Sequence, residues 1–475
     1  MASQLEKPYT SDRSERIGSA TAAELADPGW AWAAYEPDAR RPWNLALAGH
    51  LYRRAAFGAG WEQLQQALSD GPQRTVDKLL RPQADVEAFN RRCDESESIV
   101  AGSLDGLRAW WLRRMMETPH PLLEKMTLFW HSHFATNGDA VDNARWMQEH
   151  NQLLRSHALG SFNSLLQAIS RDLAVLQWLG ADTNHKAAPN DSFVRPLMET
   201  FTLGPGHFAE DDVRDAARAF TGWFVLRGQL RYLPQEHDET VKHILGREGN
   251  FTADDVVRIV LEQPATAHMV VRKLYRWLIS ETEEPSEMLI APLAGSFARD
   301  YDVSRLVETM LRSNLFLSQQ SYRQRVKCPV EFALGVVNAL EGMVSATQLA
   351  QDVAGLGQDL CRPPTVKGWT GGRYWINTAT LVGRHNLASA ILQTGKPYDG
   401  KLDPWTVAQK HGCGAPESAA RFLLELLLQS DLDPDVGDAL VQDVRTPKTD
   451  SDDGPGATLR RLVYTVVTLP EYQLA

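Results

Sequence analysis

Cysteine is scarce and scattered in this sequence. Cys93, Cys328, Cys361 and Cys413 are the four present, with no Cys-x-x-Cys pair and no zinc-knuckle spacing, so neither a disulfide framework nor a cysteine-ligated zinc ribbon is expected. No window approaches the ~18 consecutive apolar residues of a membrane-spanning helix. The opening residues, Met-Ala-Ser-Gln-Leu-Glu-Lys-Pro-Tyr-Thr, hold no apolar signal core and no twin arginine, which points to a cytoplasmic protein. Basic residues are nowhere massed, and the formal net charge is -11. That balance argues against broad binding to nucleic acids or anionic membranes. Pairs such as Arg53-Arg54, Arg113-Arg114 and Arg272-Lys273 read as ordinary helix faces. Also missing are a Gly-x-Ser-x-Gly elbow, a His-Glu-x-x-His helix and a Gly-x-x-x-x-Gly-Lys-Ser/Thr phosphate loop. Covalent hydrolysis, zincin chemistry and nucleotide binding thus lose their usual support.

What is present is a chain of 475 residues with 43% hydrophobic content, enough for a sizeable core. Residues 1–44 are polar and then aromatic, with Trp30, Trp32, Tyr35 and Trp43 among Pro28, Pro37 and Pro42, and read as an arm strapped across the body. From Leu45 the pattern is helical, and residues 45–475 read as one large multi-helix body without a fixed-period repeat or a splitting linker. The spacing predicts one helix over 141–157, another over 159–179 and a short one over 193–203, ended by Gly204-Pro205-Gly206. Thr252-Ala-Asp-Asp255 resembles a capping box, and Pro264 fits the first turn of the next helix. A single strand signal, Trp223–Leu226 and Gln229–Leu233 around Arg227-Gly228, predicts one β-hairpin. The segments 362–377 and 446–456 are too rich in Pro, Gly and polar residues for helix. The expected fold is therefore mainly α with one small hairpin and long irregular loops.

The densest chemistry lies in Lys125-Met-Thr-Leu-Phe-Trp-His-Ser-His-Phe-Ala-Thr-Asn-Gly138, where an amphipathic helix ends with His131, His133 and Asn137 at its exit. Two positions apart on a regular helix, side chains point roughly 200° apart, so His131 and His133 chelate one ion only if the helix frays there. Otherwise they cap its carbonyl end, a role the helix dipole favours. Glu199, flanked by apolar residues, reads as an inward carboxylate, either a third metal ligand or a partner of Arg195 or Arg218. His237-Asp238 with Lys242 suits an oriented base or a solvated loop. Asn184 and Asn190 are candidate amides for a polar ligand or simple turn formers. Lys367, Trp369 and Arg373 pair cations with aromatic faces, as a sugar, peptide or anion site does and as a rigid packing loop also does.

Tyr52–Gly58, Lys125–Asn137, Asn151–Gly160, Asn190–Gly204, Ala216–Trp223 and Pro363–Gly372 together resemble, in order and over nearly the whole chain from residue 45, the bacterial family catalogued as domain of unknown function 1800. The resemblance implies a largely helical protein. Many members are similar in carrying export signals and in having a sulfatase-like family encoded nearby, which implies a possible protein partner, but no reaction is implied. The chain departs from the pattern in lacking an export leader and in having Pro196 after Arg195, where the family usually has Glu.

These readings converge on an expectation. The loops at 131–137, 184–207, 235–242 and 363–377 meet at one polar cleft. There His131, His133 and Glu199 hold a divalent metal, or they act with His237, Asp238 and Lys242 as acid and base. Asn137, Asn184, Asn190, Lys367, Trp369 and Arg373 bind a small-molecule or peptide-like substrate. The alternative is a non-catalytic binding or scaffold protein whose tryptophan-rich segments face a partner. Haem ligation by one histidine is a third possibility, without an attachment motif to support it.

Overall fold

The computed structural model describes residues 17–100, 102–429, 431–445 and 454–475, excepting the side chains of 96–100. Helices build most of it, and their ends follow local chemistry. Asn44 caps Leu45–Ala55 by accepting from Leu47 N–H, Ser103 caps Leu104–Glu117, and Thr252 with Asp255 forms the expected capping box ahead of Ala253–Leu261. Pro121 and Pro264 occupy the first turns of Pro121–His133 and Pro264–Leu278, where a missing amide hydrogen costs nothing.

Two apolar clusters form the core. One gathers residues between Ile17 and Tyr322, and the other is built largely from 104–116 and 330–472. The helix Pro121–His133 serves both, with Leu122, Met126, Phe129 and Trp130 in the first and Leu128 in the second. Ten of its thirteen residues are buried, as expected of a helix enclosed by others rather than lying on a surface. The segment 17–44 lies across the body: Trp32 Nε1 donates to Leu289 O at 2.8 Å, Asn314 Nδ2 to Trp30 O at 2.9 Å and Tyr35 N to Arg312 O at 2.8 Å. Among the described residues no helix is long and apolar enough to cross a membrane.

The structure departs from the expected elements in several places. The stretch 159–179 is two helices, Phe162–Ile169 and Leu173–Trp178, because buried Asp172 leaves the helical path and caps the second by accepting from Val175 N–H at 2.9 Å. The stretch 141–157 is likewise divided, with Asp142 at φ 50° between Gly138–Val141 and Ala144–His157. The expected hairpin is Trp223–Leu226 paired with Gln229–Tyr232, and a second, Lys242–Ile244 with Arg247–Gly249, accompanies it. Over 193–203 a short helical turn passes into a π-helix, Leu197–Thr202. Most of the 446–456 loop falls outside the described residues.

Candidate active site

The helix Pro121–His133 stays helical through both histidines, so they diverge. His131 is buried; its Nε2 accepts from Cys361 N–H at 3.1 Å, and its ring packs edge-on to Trp111 and tilted against Trp369. Burial, reinforced by neighbouring His150, pushes its pKa down to about 3, so the ring is neutral. On the other side, His133 Nε2–H donates to Phe201 O at 3.1 Å, which leaves Nδ1 to accept from Lys273 Nζ at 3.0 Å. Burial and then the Lys273 charge hold the His133 imidazole well below its ordinary value. Neither ring caps its own helix.

The residues expected at one cleft fall into two groups that no described hydrogen bond or ion pair joins. In the first, Asn137 caps Gly138–Val141 and donates Nδ2–H to Pro363 O at 3.2 Å, Gly138 N donates to Cys361 O at 2.8 Å, and Trp369 covers His131. Glu199 is a correction to the inward carboxylate: it lies partly exposed, 3.1 Å from exposed Lys367, while Arg195 is taken by Glu210 and Asp191. Arg373 is exposed on the same loop. In the second assembly Asn184 Oδ1 accepts from Asn190 N at 2.8 Å and Asn184 Nδ2 donates to Ala217 O at 3.2 Å, while Asn190 Nδ2 donates to Gly180 O at 2.7 Å. His237 Nδ1 bonds Thr221 O at 2.9 Å, and Lys242 donates to the Asp238 and Thr240 carbonyls and to Asn250 Oδ1. Burial would raise the Asp238 carboxyl, but hydrogen bonds from Arg218 and Thr240 outweigh it and hold it far below the usual range. Burial lowers the Lys242 ammonium against the pull of Asp238. These groups brace the hairpins through bonds to backbone oxygens and neighbouring side chains.

The most reactive arrangement centres on a residue outside the expected set. Lys273, on Pro264–Leu278, lies beside the buried stripe Val270, Val271, Leu274 and Leu278, so its stem follows apolar surface. Its Nζ donates to His133 Nδ1 and to Thr200 O, each at 3.0 Å. The π-helix explains that second bond. A π-helical carbonyl expects an amide five residues on, and for Thr200 that residue is Pro205, which has none. Thr200 O, so orphaned, receives Lys273, and Phe201 O, in the last turn of the helix, receives His133. Burial pulls the Lys273 ammonium down to about 8.

Lys273 also lines a cavity of about 730 Å³, together with Leu203, His207, His268, Met269, Arg272 and Arg276. Of the other basic groups there, His268 and Arg272 share Glu287 at 2.8 and 2.6 Å, and Arg276 faces Glu284 at 3.5 Å. The described hydrogen bonds of Lys273 run only to an imidazole and a peptide oxygen, so no carboxylate answers its charge.

Over residues 50–474 the chain matches the model of the family described as Protein of unknown function (DUF1800). It belongs to that family. No curated protein and no solved structure matches it. The family therefore supplies the fold's kinship, and the chemistry has to come from the side chains. The expected metal set of His131, His133 and Glu199 does not assemble. The two rings face opposite sides of one helix and Glu199 holds Lys367, and among the described residues no three His, Cys, Asp or Glu side chains are placed to hold an ion.

The basic pairs read as ordinary helix faces lie mostly inward. Arg53, Arg54 and Arg114 are buried, and Lys273 bonds inward; of those residues, Arg113 pairs with Glu117 at the surface. The sequence did carry a signal for Lys273, since it directly precedes Leu274 and follows Val270-Val271 on a helix bearing a wide apolar stripe.

Proposed function

We propose that this DUF1800 protein is an enzyme that uses Lys273 as an acid–base group on a small molecule bearing an anionic or carbonyl oxygen. The supporting observation is the Lys273 ammonium, held between His133 Nδ1 and Thr200 O at the wall of the 730 Å³ cavity with no carboxylate to neutralise it. An amine with pKa about 8 has both protonation states populated near neutral pH, which proton transfer in either direction requires. His133 acts as a positioning residue. Its tautomer is fixed by Phe201 O, its lone pair aims at Nζ, and it stays neutral throughout. Arg272, Arg276 and His268, already paired, shape the entrance, and Lys273 draws in the substrate oxygen. The four free cysteines fit a reducing, cytoplasmic setting.

The test is turnover of a fractionated metabolite extract, followed by mass spectrometry, comparing the wild type with Lys273→Met. The substitution keeps the apolar stem and removes the amine. Some compound should be consumed by the wild type roughly 100-fold faster, with both proteins folded by circular dichroism. Equal consumption, or none by either protein, would end this reading. A second reading, a protein-binding role, is favoured by the exposed apolar group Tyr374, Leu381 and Val382, at 70%, 37% and 55% exposure. It expects a partner that copurifies with the wild type and is lost from Tyr374→Asp.

A further inference from the structure

A second unusual assembly lies in the interior, away from Lys273. Seven cations, Arg53, Arg54, Lys125, Arg323, Arg325, Lys327 and Arg384, are all buried and connected through shared partners. Four carboxylates belong to the same region: Glu331, Asp431, Glu471 and the partly exposed Glu281. Glu331 is shared by Lys125, Arg325 and Cys328 N–H, and Asp431 takes Arg323. Arg54 and Arg384 hydrogen-bond to neutral oxygens: Arg54 Nη2 to Ile279 O at 3.2 Å and Ser321 O at 2.8 Å, and Arg384 to Gln473 Oε1 at 3.0 Å and Lys327 O at 2.6 Å. Against these four side-chain carboxylates the seven basic side chains are three in excess, and burial, reinforced by Arg53 and Arg323, holds the Lys327 ammonium well below its ordinary value. Buried charges persist only where something answers them.

The imbalance is concentrated at one small cavity of about 30 Å³, lined by Arg53, Lys327, Glu331, Gln429, Tyr472 and the glycines Gly58 and Gly335. Arg53 spends one nitrogen on Gln429 Oε1 and lies beside the Tyr322 hydroxyl, while its Nε and Nη2 meet no acceptor in direct hydrogen-bond geometry among the described residues. The Tyr472 hydroxyl is likewise unpartnered. Lys327 Nζ rests 3.5 Å from the centre of the Tyr472 ring, a contact that attracts a cation but leaves its hydrogens unused. Gly335 keeps close room beside it, since a Cβ there would stand 3.1 Å from the Tyr472 oxygen. Room of this size holds about one or two water-sized occupants. It is too tight for a phosphate ester.

We propose that this cavity binds one small monovalent inorganic anion, such as chloride, between Lys327, Arg53 and the Tyr472 hydroxyl. Loss of the Lys327 proton is the competing relief, but it leaves Arg53, which stays charged, with two buried donors still unanswered. An anion satisfies the lysine, the guanidinium and the hydroxyl together. It also ties the segment 323–331 to the C-terminal residues through Tyr472. The role is structural and independent of Lys273.

Thermal unfolding of protein prepared in sodium gluconate, then titrated with sodium chloride or sodium bromide at matched ionic strength, tests this. The midpoint should rise saturably by roughly 2 °C or more with either halide. Lys327→Met should lose that increment, and Tyr472→Phe should need several-fold more halide for half of it. Should Lys327→Met fail to fold, bromide anomalous scattering from wild-type crystals supplies the check, with a peak expected beside Lys327 Nζ. Equal midpoints in gluconate and chloride, a halide effect surviving in both variants, or no bromide peak at that cavity would overturn the proposal.

Discussion

Glu124, which no motif singles out, accepts four hydrogen bonds on its buried carboxylate. Its Oε1 accepts from Arg114 Nε at 2.6 Å and Arg155 Nε at 2.7 Å, and its Oε2 from Trp111 Nε1 at 2.9 Å and Arg155 Nη2 at 3.2 Å. Burial alone would raise this carboxyl, yet the two guanidiniums hold it below its ordinary value. Its contribution is therefore complete at neutral pH and lost as pH falls through that lowered value. Glu124→Gln leaves two buried arginines facing an amide and should cost about 3–5 kcal/mol in denaturant unfolding at neutral pH. Glu199→Gln removes a partly exposed pair with Lys367 and should cost less than about 1 kcal/mol. A reversed order would show that the buried network does not hold this part of the core. The sequence pointed to the wrong glutamate of the two, for a physical reason. Apolar neighbours at Leu197, Met198 and Phe201 suggest burial, but a π-turn advances each side chain differently from an α-turn and brings Glu199 outward.

At the scale of elements, the caps and prolines made most helices legible, because each end is decided by two or three adjacent residues. Thr252 with Asp255, Asn44 and Pro264 all act where local chemistry places them. Breaks that depend on packing were less visible: Asp172 interrupts a continuous apolar pattern, and the hairpin Lys242–Ile244 with Arg247–Gly249 is too short to show alternation. The seating of the 363–377 segment on the helix exit was legible only as composition. In the structure it depends on Gly368, at φ +74°, where a Cβ would stand 2.2 Å from Ser132 O. No side chain fits against that backbone oxygen. Gly368→Ala should therefore lift Trp369 from His131, cost about 1–3 kcal/mol, and open 363–377 to limited proteolysis. Wild-type cleavage kinetics in this variant would mean that the loop seats some other way.

For the whole molecule, the consequence lies in acid. His50, His131 and His133 are buried with imidazoles depressed below the ordinary value, His131 to about 3. A histidine whose folded value is depressed binds its proton more readily when unfolded. Stability is then complete above about pH 6.5 and declines as pH falls below it, until the folded group also titrates. His131 alone should remove about 2 kcal/mol of unfolding free energy between pH 7.5 and about pH 5. His133, bonded to Lys273 and Phe201 O, adds a loss of the same sign. The helix Pro121–His133 carries both rings and contributes to both apolar clusters, so their protonation should unfold the chain as one unit rather than release a loop. His131→Gln keeps an acceptor for Cys361 N–H and should flatten the acid limb by about 2 kcal/mol relative to wild type. Parallel pH profiles for the two proteins in urea unfolding would show that His131 takes its proton in the folded state as easily as in the unfolded one, contrary to its enclosure by Trp111, Trp369 and Cys361.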